Sequence, residues 1–227
     1  MSGRETHLTL ELIGEPVENT LQRIFGQGIF YTGWKNAIFS LLLAVGVYFT
    51  NEIYYLLNHG PAVINLHTAL DAAIPVAPVF VIPYDSLYPY VYATLILFLL
   101  LRTKYFQSAS LALITVMFIS YGFYYFLQSE VVRPVLTGTD VFSKLVMNVY
   151  AGDNPFNDFP SLHTSMSTIL AIHWVKLNKP LGIVLSIWTA LIVASTLLVK
   201  QHYIADMLFG LALAFAFSWL YSKWIVK

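Results

Sequence analysis

His202 and Asp206 stand four residues apart at the start of the last apolar stretch of the chain, a spacing that on a helix puts both on one face, a single turn apart. A carboxylate so placed can accept from Nδ1 of the imidazole. That bond fixes the tautomer, leaves Nε2 free to attack or to exchange a proton, and stabilises the imidazolium that forms. The same spacing also reads as a helix-start histidine beside a capping aspartate. Two apolar stretches earlier, Ser161 follows Pro160 and opens another run. A hydroxyl there caps the first free N–H groups of a helix, and those groups with the positive end of the helix dipole form an anion site. His163 falls in the first turn of that helix, beside the anion.

Two cations complete the set. Arg133, before Pro134, can offer a planar fork of donors to phosphate oxygens, although an Arg-Pro dipeptide alone has little specificity. Lys200, two residues before His202, can donate to an anion or extend toward lipid headgroups. His59, His67 and His173 have no partner at a suggestive spacing and are assigned no role. Phosphoryl transfer needs a nucleophile, charge clamps on the equatorial oxygens and an acid for the leaving oxygen, and this collection supplies them. His163, His202 and Asp206 could instead form a zinc-like triad, but the nearby cations oppose a bound metal, so no metal and no cofactor is expected.

These residues must be held by elements that cross a membrane. Hydrophobic residues make up 58% of the 227 and charged residues 11%. Mean hydropathy is +0.68, outside the soluble range. The chain offers six apolar stretches near the roughly 20 residues that span a bilayer core: 37–57, 86–101, 107–127, 161–177, 181–199 and 204–225. The expected fold is an all-α integral membrane protein of six transmembrane helices. Residues 1–36, with Glu5, Glu11, Glu15 and Glu18 among apolar residues, read as a cytoplasmic or interfacial segment, and residues 37–227 as one catalytic domain. Residues 62–83, broken by Pro75, Pro78 and Pro83, read as re-entrant or interfacial rather than spanning.

Six spans place Arg4, Arg23, Lys35, Arg102, Lys104, Lys176, Lys179, Lys223 and Lys227 on one side of the membrane. Basic residues beside spans stay in the cytoplasm, so both termini are expected inside and the candidate chemistry outside. A net charge of zero gives no reason to expect a nucleic-acid partner, and without cysteine there is no thiolate chemistry.

The order Arg133-Pro134, Pro160-Ser161-Leu162-His163, then Ser195 with His202 and Asp206 resembles the membrane branch of the type 2 phosphatidic acid phosphatase (PAP2) superfamily. The resemblance spans roughly the second half of the chain, and its Pro-Ser-Leu-His and Gln-His-Tyr forms look closer to the inositol phosphorylceramide synthase-like branch. It implies a PAP2-like helical bundle in which His202 forms a phosphohistidine oriented by Asp206. His163 would protonate the leaving oxygen, while Arg133 and Ser161 hold the phosphate. Three departures stand out: the family's first lysine aligns with Phe126, the arginine of its third motif with Thr196, and the glycine of its second with Leu162. Lys200 is the expected replacement for the missing cations. The implied function is a plasma-membrane lipid phosphate phosphatase acting on a phosphorylated lipid in the bilayer. The alternatives are a phosphotransferase moving a phosphoryl headgroup to a lipid alcohol, and a non-catalytic lipid binder.

Overall fold

The computed structural model describes Gln22 and residues 26–226. The expected interfacial segment therefore lies mostly outside the described residues. Among residues 26–226, nine α-helices follow in order: α1 Trp34–Leu57, α2 Ala69–Ala73, α3 Val81–Asp85, α4 Leu87–Leu101, α5 Thr103–Phe126, α6 Val141–Gly152, α7 Leu162–Leu177, α8 Lys179–Leu198 and α9 Ile204–Ile225. A 3₁₀ turn, Pro78–Phe80, precedes α3.

Among the described residues, five segments are long and apolar enough to cross a membrane: Trp34–Leu57, Pro78–Leu101, Thr103–Phe126, Lys179–Leu198 and Ile204–Ile225. Their outward faces carry large apolar side chains such as Leu42, Phe49, Phe118, Phe215 and Trp219, a surface suited to lipid rather than water. The second span begins at Pro78, eight residues before the sequence reading placed it. The prolines expected to hold 78–83 out of a span fall in first turns instead. Pro78 opens the 3₁₀ turn and Pro83 is the third residue of α3, where no intrahelical N–H bond is required of them. The fourth expected span is α7, only 16 residues long and the most enclosed, packed against α5, α8 and α9.

α7 is short because it is tied at both ends. Ser161 Oγ accepts from Thr164 N at 3.3 Å at its start. At its end the chain turns at Asn178, whose side chain caps the next helix by accepting from Leu181 N at 3.1 Å, with Pro180 in that helix's first turn. Gly182 lets α8 start against the α7 backbone, since a Cβ there would lie 2.3 Å from Val175 Cα. Several polar side chains inside the bundle join its helices. His173 joins α7 to α5 through Ser108 Oγ (2.8 Å), and Trp174 Nε1 donates to Thr94 Oγ1 (3.1 Å).

The ends of α1, α5 and α8 and the starts of α7 and α9 meet at one end of the bundle. Gln128, just past α5, clasps them. Its amide donates to Leu57 O and Asn157 Oδ1 (both 2.8 Å), and its Oε1 accepts from Asn157 N (2.9 Å). The polar stretch expected between α5 and α7 contains α6, capped by Asp140 Oδ1, which accepts from Phe142 N and Ser143 N.

Candidate active site

α8 ends in a Schellman turn: Gln201 N donates to Thr196 O (2.9 Å) and Lys200 N to Leu197 O (3.3 Å), with Lys200 in the left-handed region at φ 52°. Glycine usually fills that position, because a Cβ there costs about 1–2 kcal/mol. Here the lysine side chain holds the turn from outside, donating through Nζ to Ile74 O (2.6 Å) and Asp71 O (3.0 Å). The turn delivers Gln201 and His202 to the bundle end.

Asp71 grips the other side of the same turn. It accepts from Thr68 N and Oγ1 through Oδ2, and from Ile204 N through Oδ1 at 2.8 Å, capping α9 from the short helix α2. Asp206 caps the same helix start from within, accepting from Tyr203 N through Oδ2 at 2.6 Å. That oxygen lies 3.6 Å from His202 Nδ1. The nearer acceptor at Nδ1 is the carbonyl of Asp158, at 2.8 Å. Nδ1–H therefore points to a backbone oxygen, the Asp206 carboxylate lies beside the ring, and Nε2 has no partner among the described residues.

His163 lines the same cavity as His202. The ring centroids are 6.1 Å apart and no hydrogen bond joins the two imidazoles. Tyr84 stacks on His163 at 4.2 Å and 16°, fixing the plane of the ring. Ser161 is fully buried, and its own N–H donates to Asp206 O at 3.2 Å, tying the starts of α7 and α9 together. The close approach depends on Gly210, where a Cβ would stand 2.7 Å from Ser161 O. The cavity holds about 280 Å³ and is also lined by Tyr54, Tyr55, Tyr88, Tyr124, Asp85, Asp153 and Gln201.

The structure thus brings His163 and His202 to one cavity, with Ser161 and Asp206 behind them. Lys200 does not line that cavity. Arg133 stands behind its wall, over the Tyr150 ring at 4.9 Å. Its terminal nitrogens are directed to Asp153 O (2.6 Å), Tyr150 O (3.3 Å), Asn154 O (3.2 Å) and Gln201 Oε1 (2.6 Å).

Two residues escaped the sequence reading. Gln201 is buried at 3% exposure, and its Oε1 faces Arg133, which turns the amide nitrogen the other way. That Nε2 has no hydrogen-bond partner. An unmade bond on a buried donor costs about 1–3 kcal/mol, so this atom awaits an acceptor. Its place directly before His202 was the one available signal. Asp158 is the second: buried, with neither carboxylate oxygen hydrogen-bonded, and pushed up to about 7 first by burial and then by the Asp206 carboxylate. Asp153, at the cavity wall, is also raised by burial. Among the described residues, no group of three or more His, Cys, Asp or Glu side chains is arranged to hold a metal.

The PAP2 superfamily sequence model matches residues 109–227, a stretch that holds Arg133, Ser161, His163, His202 and Asp206. The chain belongs to the PAP2 superfamily. Membership places it among phosphatases and related phosphoryl-transfer enzymes, and with its apolar helices it points to a lipid substrate in a bilayer. No curated protein and no solved structure gives a significant match to the chain.

Proposed function

We propose that this PAP2 protein is a membrane lipid phosphate phosphatase working through a phosphohistidine on His202. One observation carries the reading: His202, with Nδ1 fixed and Nε2 free, shares a cavity with His163 at the capped start of α7. Phosphate is held by neutral donors, the Gln201 amide and the first-turn N–H groups behind Ser161, with Arg133 polarising Gln201 from the rear.

In the first half-reaction the Nε2 lone pair forms an N–P bond while the P–O bond to the lipid breaks, its electron pair staying on the lipid oxygen. His163 gives that oxygen its proton, and the charge of the bound phosphate favours the imidazolium that supplies it. In the second half-reaction water attacks phosphorus and its proton passes to His163. The N–P electrons return to Nε2, and phosphate leaves. The Asp158 carbonyl and the Asp206 carboxylate stabilise His202 while it carries charge.

The site end is proposed to face outward. Arg102, Lys104 and Lys176 gather at the opposite end, where Tyr105 Oη reaches Lys176 O, and basic residues beside spans favour the cytoplasm. Six spans, with α7 as the short enclosed one and both termini inside, follow from that arrangement.

A phosphotransferase shares the first half-reaction, and a tyrosine-lined cavity that admits an alcohol would allow it. Purified protein with phosphatidic acid, and with a headgroup-bearing phospholipid plus diacylglycerol or ceramide as acceptor, separates the two. Free phosphate from phosphatidic acid is expected. Headgroup appearing on the acceptor with no free phosphate under any condition would sink the phosphatase reading.

A further inference from the structure

The cavity beside the two histidines has an unusual charge pattern for a phosphate enzyme. Among the described residues, no lysine or arginine lines it, while Asp85 and Asp153 do. Asp153 is held in place by Tyr54 Oη (3.1 Å) and Asn58 Nδ2 (2.5 Å). Asp85 is exposed, and no cationic side chain of the described residues pairs with it. Arg133 does not neutralise either carboxylate by contact, because its terminal N–H groups are aimed at carbonyl oxygens and Gln201. The Asp206 carboxylate lies 3.6 Å from His202 Nδ1, and the buried Asp158 carboxyl interacts with both of them.

A simple phosphomonoester brings a charge of about −1.5 to −2 near pH 7. Neutral donors can hold its oxygens, but the rest of the cavity would repel it. The remaining wall is aromatic, including Tyr55 and Tyr88, and phenol faces beside carboxylates are the surroundings that attract an alkylammonium. Gln201 adds an independent sign that a ligand completes the site: a buried, unpartnered amide on the cavity wall, neutral where a cation would otherwise be expected.

We propose that the lipid phosphate taken by this cavity carries an ammonium group, the phosphate seated between His163 and His202 and the ammonium among Asp85, Asp153 and the tyrosines. The proposal rests on the reading that phosphate occupies the histidine pair. Its chemistry fits two sources: a diester with an amino-alcohol headgroup, whose lipid P–O bond would break so that water releases the phosphorylated amino alcohol from His202, and a monoester of a long-chain amino alcohol, which would release free phosphate.

Two matched pairs of vesicle-borne lipids test it on the full chain: phosphatidylcholine against phosphatidylglycerol, and a sphingoid-base phosphate against its N-acylated form. In at least one pair the ammonium member is expected to show about tenfold higher kcat/KM, and which pair responds identifies the source. Asp85→Asn is expected to shrink that ratio. Equal kcat/KM within both pairs, or preference for the ammonium-free members, overturns the proposal. Calorimetry keeps the test independent of turnover: phosphocholine should bind more tightly than glycerol phosphate, and Asp85→Asn should narrow the difference. Equal affinities overturn the proposal even in an active enzyme. Turnover insensitive to His202→Ala would instead defeat the phosphohistidine reading while leaving the headgroup preference to stand or fall on the binding data.

Discussion

His163 and His173 lie on one helix, ten residues apart, and the bundle uses them in opposite ways. His173 is fully buried with both ring nitrogens engaged: Nδ1 with Ile169 O (2.8 Å), Nε2 with Ser108 Oγ (2.8 Å) and Ser222 Oγ (3.4 Å). It links three helices and has no valence left for chemistry. The His163 ring makes no hydrogen bond to the described residues; it stacks on Tyr84 and faces a cavity. His202 is intermediate, with one nitrogen anchored and one open. A buried histidine therefore reveals its use by how many of its nitrogens the fold leaves unsatisfied.

Substitutions can break that comparison at either end. His202→Ala should lower turnover by on the order of 10⁴-fold while the protein stays folded, since it removes the proposed nucleophile. Full activity in that variant, measured as phosphate release, would end the covalent mechanism. His163→Gln, which removes the proton carrier, should cost about 10²–10⁴-fold in kcat, and a lipid ester with a good leaving group should recover much of the loss. Gln201→Met keeps the volume but deletes the donor; a loss of about 10²-fold in kcat/KM is expected, with weaker inhibition by vanadate. His173→Ala should do the reverse, lowering stability by about 1–3 kcal/mol through the stranded serine hydroxyls and leaving kcat near that of the parent protein. If His173→Ala removed activity without changing Tm, the distinction drawn from satisfied nitrogens would fail.

The smallest effect concerns pH. Asp158 binds its proton more tightly in the folded chain, near 7, than the ordinary 3.8 of an unfolded aspartate. Its contribution to stability is therefore greatest below about 4, declines as pH rises toward 7, and is flat above. Asp158→Asn should remove that slope, which a Tm series in detergent from pH 4 to 8 would read. A parallel slope in the variant would assign it to another group.

The sequence carried most of what is local. The cap at Ser161 is visible because a hydroxyl after proline at the head of an apolar run has few other uses, and the i, i+4 spacing brought Asp206 near His202. The functions of that aspartate divided differently from expectation. Its carboxylate serves the helix start first, and a carbonyl 44 residues upstream takes the imidazole proton bond, which no spacing rule reports. Lys200 was read by its proximity to His202, but the left-handed turn at that residue sends its side chain to Asp71 and Ile74 instead. The cavity tyrosines come from α1, α3, α4 and α5, so only tertiary packing assembles them.

The bond from Ser161 N to Asp206 O, with Gly210 pressed against Ser161 O, joins the start of α7, which carries His163, to the start of α9, which follows His202, by main chain. The hairpin between them, α7 and α8, is then a spacer rather than a ruler. Its length can adjust to bilayer thickness, for instance by a matched extra turn in each arm, without changing the gap between His163 and His202. Catalytic registration and membrane fit are thereby made separable properties of this chain.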